Sequence, residues 1–381
     1  MKILMTSIVD LKKSQHNRPH QFVKYLSKKH EVTVLSINDW WKGGQDDLES
    51  YSSEFDDIFK RIEYYYLTDK KVSPILQEVF FKKKVKEVLK EEFDVHLNYN
   101  TLVPGYEAAK KIKTVFDMAD DLVAMIRESP QISRILRPFG ARLGSFYLKR
   151  NIKKAERVTV TTDALKKKYN IPDSKVEIIP NGVDTTLFRD YGDTKEELGL
   201  DGFIIGYVGV LREWIDLEPV FMALKDLDEE IKMVVIGKEG RFKENVELAK
   251  KCGVSTRVIF TGMIPYSQVP KYISAIDVCL IPFKLNAISE HALPLKLFEY
   301  MACEKPVIST ELTGVKNTIG DKVFYVANEK DYNKKIIELY EDDDLRKKMG
   351  KEGRKFVEEN YEWKKIVDKI ENLLTNIGGC V

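Results

Sequence analysis

Residues 2–37 read KILMTSIVDLKKSQHNRPHQFVKYLSKKHEVTVLSI, and this stretch decides the fold. KILMTSIV is a short apolar run of the kind that forms a buried strand. A polar loop, LKKSQHN, follows. Pro19 then stands where a helix begins, since its missing N–H costs nothing in the first turn. The segment HQFVKYLSKK has helical spacing, and EVTVLSI is a second β-branched run. Strand, helix, strand is a right-handed crossover unit, which makes the two strands parallel neighbours and places the chain among α/β proteins.

The same alternation runs outward from there. Residues 39–53 are polar and read as loop. A helix around PILQEVFFKKKVKEVLKEE, the strand DVHLNY, the helix TLVPGYEAAKKI and the strand KTVFDM continue the series. RVTVTT, ALKKKYN and VEIIPNGV close it. A second series opens at FIIGYVGVL (203–211) and runs through KMVVIGKE, RVIFTGMI, DVCLIPF, KPVIST and VFYVAN, with helical segments between. The end is helical, through YNKKIIELYED, LRKKMGKEGRKFVEE and WKKIVDKIENLLTN. The reading is two doubly wound, Rossmann-like parallel-sheet domains, 1–184 and 185–360, with a last helix at 361–378. Ligands of such sheets bind outside the carboxyl ends of the strands, so a cleft between two such ends is the expected place for chemistry.

The 381-residue length suits two domains. A net charge of +2 argues against a nucleic-acid binder. Four cysteines (Cys252, Cys279, Cys303, Cys380) form neither a disulfide framework nor a zinc motif, which suits a reducing, cytoplasmic setting. The start MKILMTSIVDLKK lacks the features of a signal peptide, and no apolar run is long enough to span a bilayer. The neutral total hides an asymmetry. Residues 1–185 carry 33 Lys/Arg and 26 Asp/Glu, net +7, and the remainder is net −5. Much of the excess lies at 127–154, where eight cations accompany the single acid Glu128 and alternate with apolar residues. The spacing predicts amphipathic helix on either side of Pro138. It fits either a solvated basic face or a surface that meets anionic lipid headgroups.

Three strand-end motifs carry the candidate chemistry. In Gly206-Tyr-Val-Gly209-Val-Leu-Arg212-Glu-Trp214 the glycines would let backbone approach a ligand and Arg212 would clamp a diphosphate. The alternatives are a Rossmann dinucleotide turn and an ordinary strand–helix turn. Val235-Ile-Gly237-Lys238 is either a phosphate contact or a glycine turn with a solvated lysine. The third is Pro294-Leu-Lys296-Leu297-Phe-Glu299-Tyr. Pro294 would open a helix whose free N–H groups favour phosphate. Lys296 in that first turn is unfavourable unless an anion is near. Glu299 shares its face and would bond ribose hydroxyls. The alternative is an i,i+3 surface pair.

Ile179-Pro-Asn-Gly182-Val-Asp, GYVGVLREW and IPFKLNAISEHALPLKLFEYMACEKPVIST, taken in that order, resemble the retaining glycosyltransferases of family four. Arg18-Pro19-His20 and Asp117-Met-Ala-Asp120-Asp121 are similar to the subgroup found in cell-surface polysaccharide assembly. The resemblance implies the GT-B fold and a nucleotide-sugar donor held by the C-terminal domain. It also implies an N-terminal domain that binds a glycan or lipid-linked acceptor, and a last helix that packs back onto it. Glu299 matches the second glutamate of the family's E-x7-E motif, and the first falls at His291, beside Glu290. Gly209, Arg212, Lys238, His291, Lys296, Leu297 and Glu299 are the implied donor-side residues. Arg18, His20, Asp117 and Asp121 are the implied acceptor-side residues. Asp120 stands where the family carries a histidine, and with Arg212 and Lys296 completes the implied catalytic set. No cofactor or metal is expected, and the protein would be cytoplasmic, peripheral to the inner face of the membrane through 127–154. A sugar-nucleotide epimerase of the same fold and a non-catalytic nucleotide-sugar-binding subunit are the two rivals.

Overall fold

Every strand pairing is parallel in a computed structural model that describes residues 1–14, 16–40, 56–72, 74–128, 132–238 and 240–379. The loop expected at 39–53 lies mostly outside the described residues. The chain divides into two units, Met1–Pro180 with Lys364–Val381, and Asn181–Trp363. The division falls a few residues before the expected boundary at 184.

The first unit holds a seven-stranded sheet in the order β3-β2-β1-β4-β5-β6-β7. Its strands are β1 (Lys2–Ser7), β2 (Glu31–Ser36), β3 (Glu63–Tyr66), β4 (Val95–Tyr99), β5 (Thr114–Met118), β6 (Arg157–Val160) and β7 (Val176–Ile178). Its helices are α1 (Arg18–Leu26), α2 (Asp56–Phe59), α3 (Pro74–Val88), α4 (Val103–Ala109), α5 (Leu122–Glu128), α6 (Arg137–Lys154) and α7 (Asp163–Lys168). The central strands are buried on both faces, and apolar residues such as Ile3, Leu4, Met5, Val95, Leu97, Val115 and Phe116 dominate them, with a few buried polar side chains such as Asn98 and Asp117 between. Edge strand β3, EYYY, alternates exposed and half-buried residues, and its lack of an apolar run conceals it in the sequence. Pro138 does not divide two helices. It sits in the first turn of α6, and α5 ends at Glu128.

The second unit holds a six-stranded sheet, β10-β9-β8-β11-β12-β13. Its strands are β8 (Phe203–Val208), β9 (Ile231–Ile236), β10 (Val258–Gly262), β11 (Val278–Ile281), β12 (Val307–Thr310) and β13 (Phe324–Val326). The helices are α8 (Glu218–Lys225), α9 (Phe242–Lys251), α10 (Val269–Ser274), α11 (Leu295–Ala302), α12 (Thr313–Ile319), α13 (Glu329–Glu341) and α14 (Asp343–Asn360). One contiguous apolar core fills this unit, from Phe203 and Tyr207 through Phe298 and Tyr300 to Ile336.

The last helix, α15 (Trp363–Gly378), belongs from Lys364 onward to the first unit. Ile366, Val367, Ile370 and Leu374 bury its apolar stripe. Glu371 receives the Lys29 ammonium at 2.8 Å and lies 3.1 Å from His30 Nε2.

Candidate functional site

In each sheet the strand order reverses once, between β1 and β4 and between β8 and β11. That switch point is where the loops part and leave room for a ligand. The titratable groups of interest gather beside these two places.

In the second unit, β8 is followed by Gly209, whose φ of 130° suits glycine alone. Its N–H donates to Ile236 O of the neighbouring β9 at 2.8 Å. Gly237 presses so closely that a Cβ there would lie 2.3 Å from Gly209 O. Helix α11 begins after Pro294, an extended N-cap with no side-chain cap of its own. Lys296, in the first turn, reaches back across the switch point. Its ammonium lies 4.8 Å from the centre of the Tyr207 ring, on β8, and 5.4 Å from that of Phe283, just past β11. It donates to Tyr207 Oη at 3.2 Å, and Tyr207 in turn donates to Val210 O at 3.0 Å. Burial lowers the Lys296 pKa to about 8, an effect partly offset by Glu299 and deepened by the nearby Arg212.

Glu299 lies one turn on and is half-buried. Burial raises its pKa to about 7, against the pull of Lys296 and of a hydrogen bond from Tyr266 Oη at 3.2 Å. Tyr266 is held by the Phe188 ring, 5.4 Å away between centroids. Thus Gly209, Lys296 and Glu299 come together, with exposed Arg212 close enough to act on Lys296. Leu297 turns its side chain fully into the core. His291 lies on the preceding loop, half-buried, and exposed Glu290 is its neighbour. Gly314 holds that loop against α12: its N–H donates to Glu290 O at 3.0 Å, and a Cβ there would fall 2.7 Å from His291 O. Lys238 is exposed after β9, and among the described residues no contact joins it to the cluster.

The first unit gathers a second set. Arg18, 1% exposed, makes a fork with Asp117, Nε to Oδ2 and Nη2 to Oδ1, both at 2.8 Å. Its third nitrogen donates to Pro180 O at 2.7 Å, and its plane covers the Phe22 ring. Thr159 also donates to Asp117. These partners tie α1, β5, β6 and the end of the unit together. His20 is buried, with Nε2 2.8 Å from Leu11 O. Its Nδ1 faces Asn17, 2.8 Å from the side-chain Oδ1 and 3.3 Å from the backbone N–H. His20 is therefore the third residue of a capping box that starts α1. Asp121 caps α5 by accepting the Ala124 N–H at 2.9 Å, and pairs with Lys168 at 2.6 Å.

Asp120 differs from these. It is exposed, and Asn100 approaches it at 3.5 Å from the end of β4. Although the residue keeps an exposed surface, protein crowds its carboxyl, and that desolvation raises its pKa to about 6, with Arg18 lowering it and the Asp117 and Asp121 carboxylates raising it further. Sequence reasoning missed Tyr207, Tyr266, Phe283 and Asn100. Tyr207 carried one usable signal: a tyrosine inside an apolar strand needs a partner for its hydroxyl.

The family model for Glycosyltransferase Family 4 matches residues 17–187, and that for Glycosyl transferases group 1 matches residues 192–356. The chain carries the two domains of a glycosyltransferase. Among relatives, a Bacillus subtilis (strain 168) protein named as a teichuronic acid biosynthesis glycosyltransferase, TuaH, is 26% identical over 255 residues. That match spans 62% of this chain and 62% of that protein. The N-acetyl-alpha-D-glucosaminyl L-malate synthase of Bacillus anthracis is 23% identical over 281 residues, 70% of this chain and 69% of that one. Two solved glycosyltransferase-fold neighbours cover nearly everything. Sucrose-phosphate synthase from Thermosynechococcus elongatus superposes with a TM-score of 0.80 at 16% identity, covering 99% of this chain and 98% of that one. Anabaena HepE in complex with UDP-glucose gives 0.75 at 16% identity, covering 99% of this chain and 100% of that one. At such identities the likeness establishes the GT-B fold.

Proposed function

We propose that this chain transfers a sugar from a nucleotide-diphosphate sugar to a glycan or lipid-linked acceptor, with retention at the anomeric carbon, in cell-surface polysaccharide or glycoconjugate synthesis. The observation that carries the reading is Lys296. A half-buried cation in the first turn of a helix is opposed by the helix dipole and by lost hydration, and a bound diphosphate reverses both penalties. The UDP-glucose complex of HepE and the teichuronic acid name of TuaH support the donor class and the biosynthetic setting.

In the proposed step the bond between the anomeric carbon and the diphosphate oxygen breaks, and negative charge grows on the departing group. Lys296, Arg212 and the N–H groups opening α11 stabilise that charge. Glu299 accepts hydrogen bonds from the donor ribose. The acceptor oxygen attacks on the face the leaving group departs from, and its proton passes to the departing phosphate. Asp120 orients the acceptor or the transferred sugar. Because the chain's own cations meet the diphosphate, the transfer is expected to survive exhaustive EDTA treatment.

The deciding experiment combines a calorimetric panel of UDP, GDP and ADP sugars with proton NMR of the product. Transfer that preserves the anomeric configuration is the expected result. An inverted product overturns retention, and an epimerised nucleotide sugar formed without acceptor identifies an epimerase. Donor binding without transfer across an acceptor panel identifies a binding subunit.

A further inference from the structure

Helix α6 has two apolar faces, and only one of them is used. Ala141, Gly144, Leu148 and Asn151 form the buried stripe, with Gly144 against Ile126 of α5. At 100° per residue, Phe139, Leu143 and Phe146 fall on the opposite side of the helix. All three are exposed, Phe139 by 71%. The turn leading into the helix adds Ile135, 88% exposed, and Leu136, 59% exposed. Single exposed apolar residues need no explanation, but five within twelve positions on one side of one element do.

Cations border this stripe. Arg134, Arg142, Lys149, Arg150, Lys153 and Lys154 are exposed around it. Among the described residues no carboxylate pairs with any of them, although the chain forms many surface ion pairs elsewhere. Arg150 lies over the Phe146 ring at 4.3 Å and donates to Tyr106 Oη at 3.0 Å, which fixes the ring in its outward position. Arg137 is turned back to Ile132 O at 3.0 Å and stiffens the turn that presents Ile135 and Leu136.

We infer that this face of α6, from Arg134 to Lys154, docks on an anionic lipid bilayer, with Ile135, Leu136, Phe139, Leu143 and Phe146 entering the headgroup boundary. The charge decides the occupant. A second copy would bring the same unpaired cations against themselves, whereas a sheet of anionic headgroups neutralises them all. The apolar tips supply the remainder, as in helices that lie in the interface plane. No helix among the described residues is long and apolar enough to cross a membrane, so this would be attachment from one side. The inference stands apart from the sugar-transfer reading, because it concerns a surface remote in sequence from Lys296 and Glu299.

The test is sedimentation with vesicles of phosphatidylglycerol mixed into phosphatidylcholine, beside vesicles of phosphatidylcholine alone. The wild-type chain is expected to sediment with the anionic vesicles only. Each cation near such a surface contributes about fivefold in partitioning. The R134S/R142S variant is therefore expected to lose more than tenfold, roughly. The F139S/L143S/F146S variant should lose at least as much, roughly, with its thermal unfolding and its affinity for UDP unchanged. Equal sedimentation with neutral vesicles overturns the proposal, as does either variant binding like wild type. Light scattering that shows a dimer in the wild type and a monomer in the triple variant assigns the face to a second copy and overturns it too. UDP binding reports on the donor reading separately, so failure of one leaves the other standing.

Discussion

The Lys296 ammonium occupies the space that a side chain on Gly209 would take: a Cβ built at 209 would come within 3.0 Å of both Cε and Nζ. The bare strand end and the buried cation are thus one device. Gly209→Ala is expected to displace Lys296 and to strain a backbone at φ 130°, at a cost of about 1–3 kcal/mol in stability. Donor affinity should fall by about tenfold in parallel, as a contact of about 1.4 kcal/mol is lost. Chemical denaturation and calorimetry with UDP, run on the same preparation, check both.

Lys296 and Glu299 should separate kinetically. Lys296→Ala removes a charge that matters most as the diphosphate departs, so turnover should drop by about a hundredfold or more even at saturating donor. Glu299→Ala removes hydrogen bonds to a charged acceptor, worth roughly 1.5–3 kcal/mol, and should weaken donor binding about tenfold to a hundredfold. Steady-state kinetics with varied donor distinguish the two patterns. Wild-type constants in both variants would sink the donor site.

The same pair predicts a narrow pH window. Glu299 must be ionised to accept ribose hydroxyls, and its pKa is raised to about 7, so affinity falls as pH drops below that value. Lys296 must be protonated to meet the diphosphate, and its pKa is lowered to about 8, so affinity falls as pH rises past it. UDP affinity measured across pH should therefore pass through a maximum between the two. Glu299→Gln should flatten the acid limb and leave the alkaline one.

The acidic cluster of the first unit should divide by role. Arg18→Leu leaves the Asp117 carboxylate buried and unpaired, which costs about 3–5 kcal/mol. Asp121→Ala removes a helix cap and should cost about 1 kcal/mol. Asp120→Asn breaks no such bond and should leave the melting temperature in place while lowering turnover. Differential scanning calorimetry alongside an activity assay reads both.

The parallel sheets were legible because their central strands are buried on both faces and are mostly apolar. Edge strand β3 was not, since its residues alternate between exposed and half-buried and make no apolar run. Lys296 and Glu299 were legible as a local i,i+3 pair at a helix start. The groups that shape them were not, because Tyr207 and Tyr266 arrive from β8 and from the turn at Tyr266–Gln268, with no fixed spacing to announce it. The Arg18–Asp117 fork joins residues 99 positions apart, which no local pattern encodes. His20 and Asp121 stood in recognisable motifs, yet their side chains are bonded to helix starts, a use that a motif does not distinguish from ligand binding.

The second unit opens and closes at one place. Val183 pairs in parallel with Glu362, donating its N–H to Tyr361 O at 2.8 Å and accepting from Trp363 N–H at 3.0 Å. Glu362 also accepts the Thr185 N–H at 3.1 Å. Asn181–Trp363 is therefore an insertion with laced ends, and the first unit is assembled from two pieces of chain. On the ribosome the order of completion follows from this. The inserted unit has all its residues once Trp363 emerges, while the other waits for Lys364–Val381. A chain cut short before Lys364 would strand the earlier half of the polypeptide with an unfinished core and leave the later half able to fold.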